Sequence, residues 1–310
     1  MSGTLTVEER GNVLLATIDN PPHALLDAAI HMELAALARR ADEDPDVGAV
    51  VLTGAHPSRF VAHFDVSLVL ANAESSPPMS PKAVHAALKA VGAALRVPGA
   101  QEALRRSPAA GLAVMERMRQ VSLGIERCAA VWIAALNGHV GGGGCELALA
   151  CDMRLMADGD HCIAQPEIFL GFPPGGGGTQ RLTRLLGRAA ALRLCLDGGP
   201  LSPKEALDIG LVDEVVDPDL LVERAVEVAA RLGRRPKAAI GAIKRSVNIG
   251  GSLPLVDGLR LEAAEFLSAI TTPEAITAMK AYAAATEELG DLPASDPRVV
   301  DEVLERGRFA

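Results

Sequence analysis

Aromatic residues are scarce in this chain: they make up 3% of its 310 residues, with one Trp and one Tyr. A core with so few rings must be packed from Leu, Ala, Val and Ile, which suits helices and close backbone contacts, and the 30 glycines favour the same. Basic residues are outnumbered, 30 Lys and Arg against 39 Asp and Glu, for a formal net charge of -9. That balance argues against a nucleic-acid partner, which leaves a basic footprint. It does not exclude an anionic small ligand, because a few Arg residues or helix N-termini hold one locally. No apolar run approaches the ~20 residues of a membrane span, and the opening MSGTLTVEERGN has no basic-then-apolar signal. The expectation is a soluble, cytoplasmic protein with no membrane partner. The five cysteines, Cys128, Cys145, Cys151, Cys162 and Cys195, are odd in number and form no C-x-x-C pair, so they read as reduced thiols rather than a disulfide framework.

Several chemistries lack their signatures. The histidines form no H-E-x-x-H or comparable metal spacing, so no metal site is expected. There is no G-x-S-x-G turn for a serine nucleophile. Neither a G-x-x-x-x-G-K-[ST] loop nor a G-x-G-x-x-G in a βαβ setting is present for a nucleotide.

What is present is an α/β pattern. Residues 12–18, NVLLATI, and 48–53, VGAVVL, are apolar, β-branched runs bounded by turn residues and read as strands. Residues 131–136 and 153–156 are two more. Between the first two, Leu26, Ile30, Leu34, Leu37 and Ala41 recur at helical spacing. Strand, helix, strand suggests α/β layering. Residues from about 71 to 119 open with ANAESSPPMSP and break again at 97–99, which reads as a surface excursion, either a lid over a site or a solvated insertion. From Ser202 strand signals thin out and helical patterns follow at 203–210, 219–233, 236–248, 258–269 and 273–288. The charged segment after Pro293 reads as a short helix or a loose tail.

Two glycine-rich segments lead into helix-like runs: residues 137–152, NGHVGGGGCELALACD, which follow a strand and whose apolar helical run starts near Cys145, and residues 171–182, GFPPGGGGTQRL. Glycines let the backbone turn sharply and bring N–H groups close to a ligand, and at a helix start those groups carry partial positive charge suited to an oxyanion. Glu146 directly follows the first run, and Glu167, in QPE, precedes the second. Singly, each reads better as a helix cap, an ion-pair partner or a turn residue. Paired, each beside its own glycine turn, they point to proton transfer, because burial and a like charge raise a carboxyl pKa toward neutrality.

These residues closely resemble the signature region of the enoyl-CoA hydratase/isomerase (crotonase) superfamily. The matching stretches are 133–138, 142–152, 165–167 and 170–182, with further similarity at 20–22, 50–54 and 201–212, so that most of residues 12–216 is covered. The resemblance implies a spiral of β-β-α turns over residues 1–201, with 71–119 as an enlarged insertion. It implies a helical C-terminal region for oligomerisation over 202–290, leaving a charged tail over 291–310, and a homotrimer or dimer of trimers. It implies that two glutamates, here Glu146 and Glu167, handle the water that adds to a 2-enoyl-CoA. It puts the oxyanion-hole N–H groups on Phe64 and Gly143, and the other contacts to substrate and coenzyme A at Ala62, His63, Asp65, Val66, Gly142, Pro174 and Gly175. No cofactor is implied beyond coenzyme A carried on the substrate. The alternatives are another crotonase reaction on an acyl-CoA, such as double-bond isomerisation, decarboxylation or C–C cleavage, and a non-catalytic acyl-CoA-binding subunit. The chain departs from the family pattern at Ala62-His63-Phe64-Asp65, where a glycine is usual in place of His63. It also has an extra residue between Cys151 and Gln165 and lacks the usual K-R-x-P-x-F close.

Overall fold

Strand alternation sets the frame of the molecule, for which a computed structural model describes residues 2–97 and 99–309; Pro98, within the break read at 97–99, lies outside the described residues. Among the described residues nine strands form in chain order: β1 (Thr4–Arg10), β2 (Val13–Asp19), β3 (Ala49–Gly54), β4 (Arg59–Val61), β5 (Val131–Leu136), β6 (His139–Gly141), β7 (Met153–Ala157), β8 (Ile163–Ala164) and β9 (Glu214–Val216). Six make the main sheet in the order β1-β2-β3-β5-β7-β9, antiparallel at β1–β2 and parallel elsewhere. Three short ones, β4-β6-β8, form a second, parallel sheet.

Parallel strands are covered on both faces and so are apolar on both. Leu14, Ala16, Val50, Leu52, Trp132 and Ala134 point into the larger core. Their chain neighbours Val13, Leu15, Ala49, Val51, Ile133 and Ala135 point the other way, into a second cluster. Each large apolar side chain so buried contributes roughly 1.5–3 kcal/mol. β1 was not anticipated from the sequence: its partly exposed alternation pairs with only one neighbour, at the sheet edge. The three strands of the small sheet are two or three residues long and leave no periodicity to read.

The helices are α1 (Ala28–Glu43), α2 (Val66–Ser75), α3 (Pro81–Ala94), α4 (Ala100–Arg105), α5 (Ala110–Arg127), α6 (Gly142–Ala150), α7 (Gly178–Asp197), α8 (Pro203–Asp208), α9 (Leu221–Leu232), α10 (Lys237–Asn248), α11 (Leu255–Ile270), α12 (Pro273–Leu289) and α13 (Pro297–Arg306). Leu26 is not part of α1, as its spacing suggested. Asp27 caps that helix by accepting from Ile30 N, and Leu26 instead bridges to Phe64. The excursion after residue 71 is helical, and residue 119 falls inside α5, whose Ala113, Met118, Val121 and Ile125 are buried. Two elements beyond residue 201 join the main sheet and its packing: β9 pairs with β7, and α9 covers the second face with Leu221, Ala225, Val228 and Ala229. The charged C-terminal segment contains α13. Asp152, which closes the first glycine motif, accepts from Trp132 N at 2.8 Å and from Lys244 Nζ at 2.7 Å. That partly buried pair ties α10 to β5.

Candidate active site

The three strands of the small sheet run side by side in one direction, so their C-terminal ends open at one place. Parallel sheets present ligand sites at that end. After β4 comes the turn 62–65, after β6 the glycines that start α6, and after β8 Gln165 and Glu167. α6 begins at Gly142, three residues earlier than expected, so its first turn is all glycine and Glu146 lies inside the helix rather than at its start.

The glycines allow the close approach. Gly142 has φ +45°, and a Cβ there would lie 3.1 Å from Glu167 Oε1 and 3.4 Å from His63 Cβ. A Cβ on Gly143 would lie 3.2 Å from Phe64 N. The backbone of Phe64 thus comes close to Gly143 in the first turn of α6. The Phe64 N–H makes no hydrogen bond among the described residues, and a helix leaves its first-turn donors unpaired and partly positive. His63 does not distort this turn. Among the described residues Ala24 is the one non-glycine at positive φ, so His63 stands in ordinary backbone and its side chain is exposed. Its Nδ1 donates to the Phe64 carbonyl oxygen at 2.8 Å.

The glutamates are crossed relative to the sequence reading. Glu146, beside the first glycine run in sequence, is held by the second: its Oε1 accepts from Gly176 N at 2.7 Å and Gly178 N at 2.8 Å. Glu167, beside the second run, lies against Gly142 of the first. Both glutamates are buried. Burial pushes the Glu146 carboxyl up to about 7; the Gly178 N–H opposes the rise and the charge of Glu167 adds to it. Burial also raises the Glu167 carboxyl, while the His63 charge opposes this. Glu167 Oε2 is buried without a hydrogen-bond partner.

The other expected residues spread around this centre. Ala62 N donates to Ala24 O at 2.9 Å, fixing the turn against the segment before α1. Asp65 caps α2, accepting from Ser67 N and Oγ at 2.9 and 2.6 Å, and Val66 opens that helix at the surface. The Ser67 hydroxyl and N–H hold the Asp65 carboxyl below its usual range. Pro174 packs beneath Gly178, and Gly175 faces Met115 of α5. Sequence reasoning missed two positioning residues, although both lie in the motif stretches. Gln165 Nε2 donates to Gly142 O at 2.9 Å. Arg181 bonds Gly176 O at 2.9 Å and pairs with Glu126 at 2.6 Å, holding the loop that holds Glu146. It also missed a cavity of about 10 Å³ reaching from Gly143 and Glu146 to α1 and α5; nothing in a linear pattern marks it. The five cysteines are free. Among the described residues no three His, Cys, Asp or Glu side chains group as metal ligands, and no helix is long and apolar enough to cross a membrane.

The family model described as enoyl-CoA hydratase/isomerase matches residues 99–288. The chain belongs to the enoyl-CoA hydratase/isomerase family. A probable enoyl-CoA hydratase of Rhizobium meliloti is 35% identical to this family member over 91% of the chain and 95% of the relative. The mitochondrial enoyl-CoA hydratase of Pongo abelii is 39% identical, over 48% of this chain and about half (51%) of that protein. The fold matches the crystal structure of an enoyl-CoA hydratase from Bacillus anthracis with a TM-score of 0.71 and 26% identity, covering 93% of this chain and 97% of that one. The mixed α/β architecture is therefore the crotonase fold, and the chain is an enzyme of that family.

Proposed function

We propose that this enzyme adds water reversibly to a 2-enoyl-CoA to give a 3-hydroxyacyl-CoA. The observation that carries the reading is the burial of both carboxylates next to the start of α6, Glu146 sharing a cavity with Gly143 and Glu167 lying against Gly142. Glu146, fixed by two backbone donors, takes a proton from water as its oxygen bonds to C3. The C2–C3 π electrons move onto the thioester oxygen, which accepts from Phe64 and Gly143; such donors are worth ~3–4 kcal/mol each in acyl chemistry. As the carbonyl re-forms, Glu167 gives its proton to C2, a role that burial favours by raising its carboxyl pKa. One proton then passes from Glu146 to Glu167 through solvent and resets the pair. Coenzyme A arrives as part of the substrate, and these residues supply the acid, base and anion stabilisation. Double-bond isomerisation often manages with one acid/base carboxylate, so two in one site favour hydration.

We also propose self-association as a trimer or dimer of trimers. The support is the exposed apolar surface of α11, where Leu255, Val256, Leu259, Phe266 and Leu267 are more than half exposed.

The test is turnover of crotonyl-CoA by the purified protein and by Glu146→Gln and Glu167→Gln. Each substitution is expected to lower kcat by about 10²–10⁴-fold. Binding of the thioester with no turnover by the parent, or no change in either variant, would sink the assignment.

A further inference from the structure

The small cavity beside Glu146 and Gly143 has a polar end. Its walls include Leu26, Met118 and Val121, but it also reaches His31 of α1 and Ser122 of α5. Both are more than nine-tenths buried, at 7% and 8% exposure, where an unpaired polar atom is costly. His31 Nδ1 lies 2.7 Å from the Asp27 carbonyl oxygen, which can only accept, so Nδ1 carries the hydrogen. In the neutral ring Nε2 is then an acceptor, and burial lowers the His31 pKa and keeps the ring neutral. Among the described residues neither His31 Nε2 nor the Ser122 hydroxyl makes a hydrogen bond, and both residues line the cavity. The His31 ring also lies 6.2 Å, centroid to centroid, from the ring of Phe64, whose N–H faces Gly143. An acyl chain bound at that N–H pair and passing Glu146 therefore runs toward His31 and Ser122.

We propose that His31 and Ser122 select a short acyl-CoA bearing a hydroxyl at the far end of its chain. A hydroxyl is the group that satisfies both: it donates to Nε2 and accepts from the serine O–H. The cavity is small, about 10 Å³, and so favours a short chain. A four-carbon chain with a 4-hydroxyl fits that description, and longer apolar chains meet Met118 and a polar wall. Discrimination arises because an apolar terminus filling the cavity would cover two polar groups without pairing them.

The proposal rests on the acyl-CoA reading above, so the test separates the two. Calorimetry with butyryl-CoA and 4-hydroxybutyryl-CoA, neither of which can be hydrated, reads selectivity without turnover. The hydroxylated thioester is expected to bind at least tenfold more tightly. His31→Leu should abolish that preference, Ser122→Ala should reduce it by about threefold, and His31→Gln, which keeps an acceptor, should retain part of it. The same order is expected in kcat/KM for 4-hydroxycrotonyl-CoA against crotonyl-CoA. Equal affinities in the parent, or a preference untouched by His31→Leu with both variants folded by circular dichroism, overturns the proposal. A retained binding preference without turnover of either enoyl thioester overturns the hydratase reading alone. Failure to bind either thioester overturns both.

Discussion

The pockets of Glu146 and Glu167 look alike in sequence, an acid beside a glycine-rich turn, yet they differ physically. One oxygen of Glu146 is locked by two backbone N–H groups from a loop that Arg181 and Glu126 brace. Glu167 has a buried oxygen with no partner, and its other oxygen faces a glycine backbone. The contrast teaches that a fixed, solvated-by-amide carboxylate suits a base that must aim at water. An underbonded one is left free to pass a proton to carbon; burial raises both carboxyls, and on Glu146 the two backbone N–H groups oppose that rise.

Adding a methyl group on each side breaks the comparison most strongly. In Gly176→Ala the new Cβ would stand 2.5 Å from Glu146 Oε2, and in Gly142→Ala 3.1 Å from Glu167 Oε1 at a φ of +45° that L-residues avoid. Both should lower kcat by about a hundredfold with a far smaller change in KM, because a shift of about 1 Å in a catalytic group costs that much. Unaltered kinetics in either would mean that its carboxylate is not held as described.

The Glu146 side is sharpened by pH. Its folded pKa of about 7 exceeds the ordinary 4.5. Between those values the folded protein holds a proton that the unfolded chain has released, so this group's contribution to stability falls as pH rises through the window. Glu146→Gln removes that loss, and the variant should gain up to about 3 kcal/mol on its parent between pH 4 and 8 by urea denaturation. In the parent, kcat/KM should fall as pH drops below 7 and the base protonates. In Glu167→Gln the residual activity should show that limb at lower pH, because the neighbouring charge is gone. A limb that stays in place would show that the two carboxylates are uncoupled.

The smallest effect is expected at His63. It is exposed and in ordinary backbone, so His63→Gly should preserve or raise activity on crotonyl-CoA. A fall of more than tenfold, ~1.4 kcal/mol in barrier, would make it a participant in the reaction.

Much of the fold was legible because burial writes itself into local patterns. β5, with both faces buried, reads as an unbroken apolar run, and α9 buries Leu221, Ala225, Val228 and Ala229 at helical spacing. The small sheet was not legible, since strands of two or three residues carry no period, although they aim every part of the site. Both glutamates could be named from their motifs, but their partners could not.

The amino-acid order alone therefore decided which segments become strands and helices, which glycines allow close backbone approach, and that two carboxylates belong to the chemistry. Periodicity, turn preference and motif spacing act between near neighbours along the chain. Tertiary structure alone decided that each carboxylate is served by the other's glycine run, across 32 positions for Glu146 and Gly178. It alone set the Glu146 pKa near 7 and brought His31 and Ser122 to the same cavity. Desolvation and hydrogen-bond partnership depend on which distant backbone fills the neighbouring space, and sheet pairing and helix packing determine that.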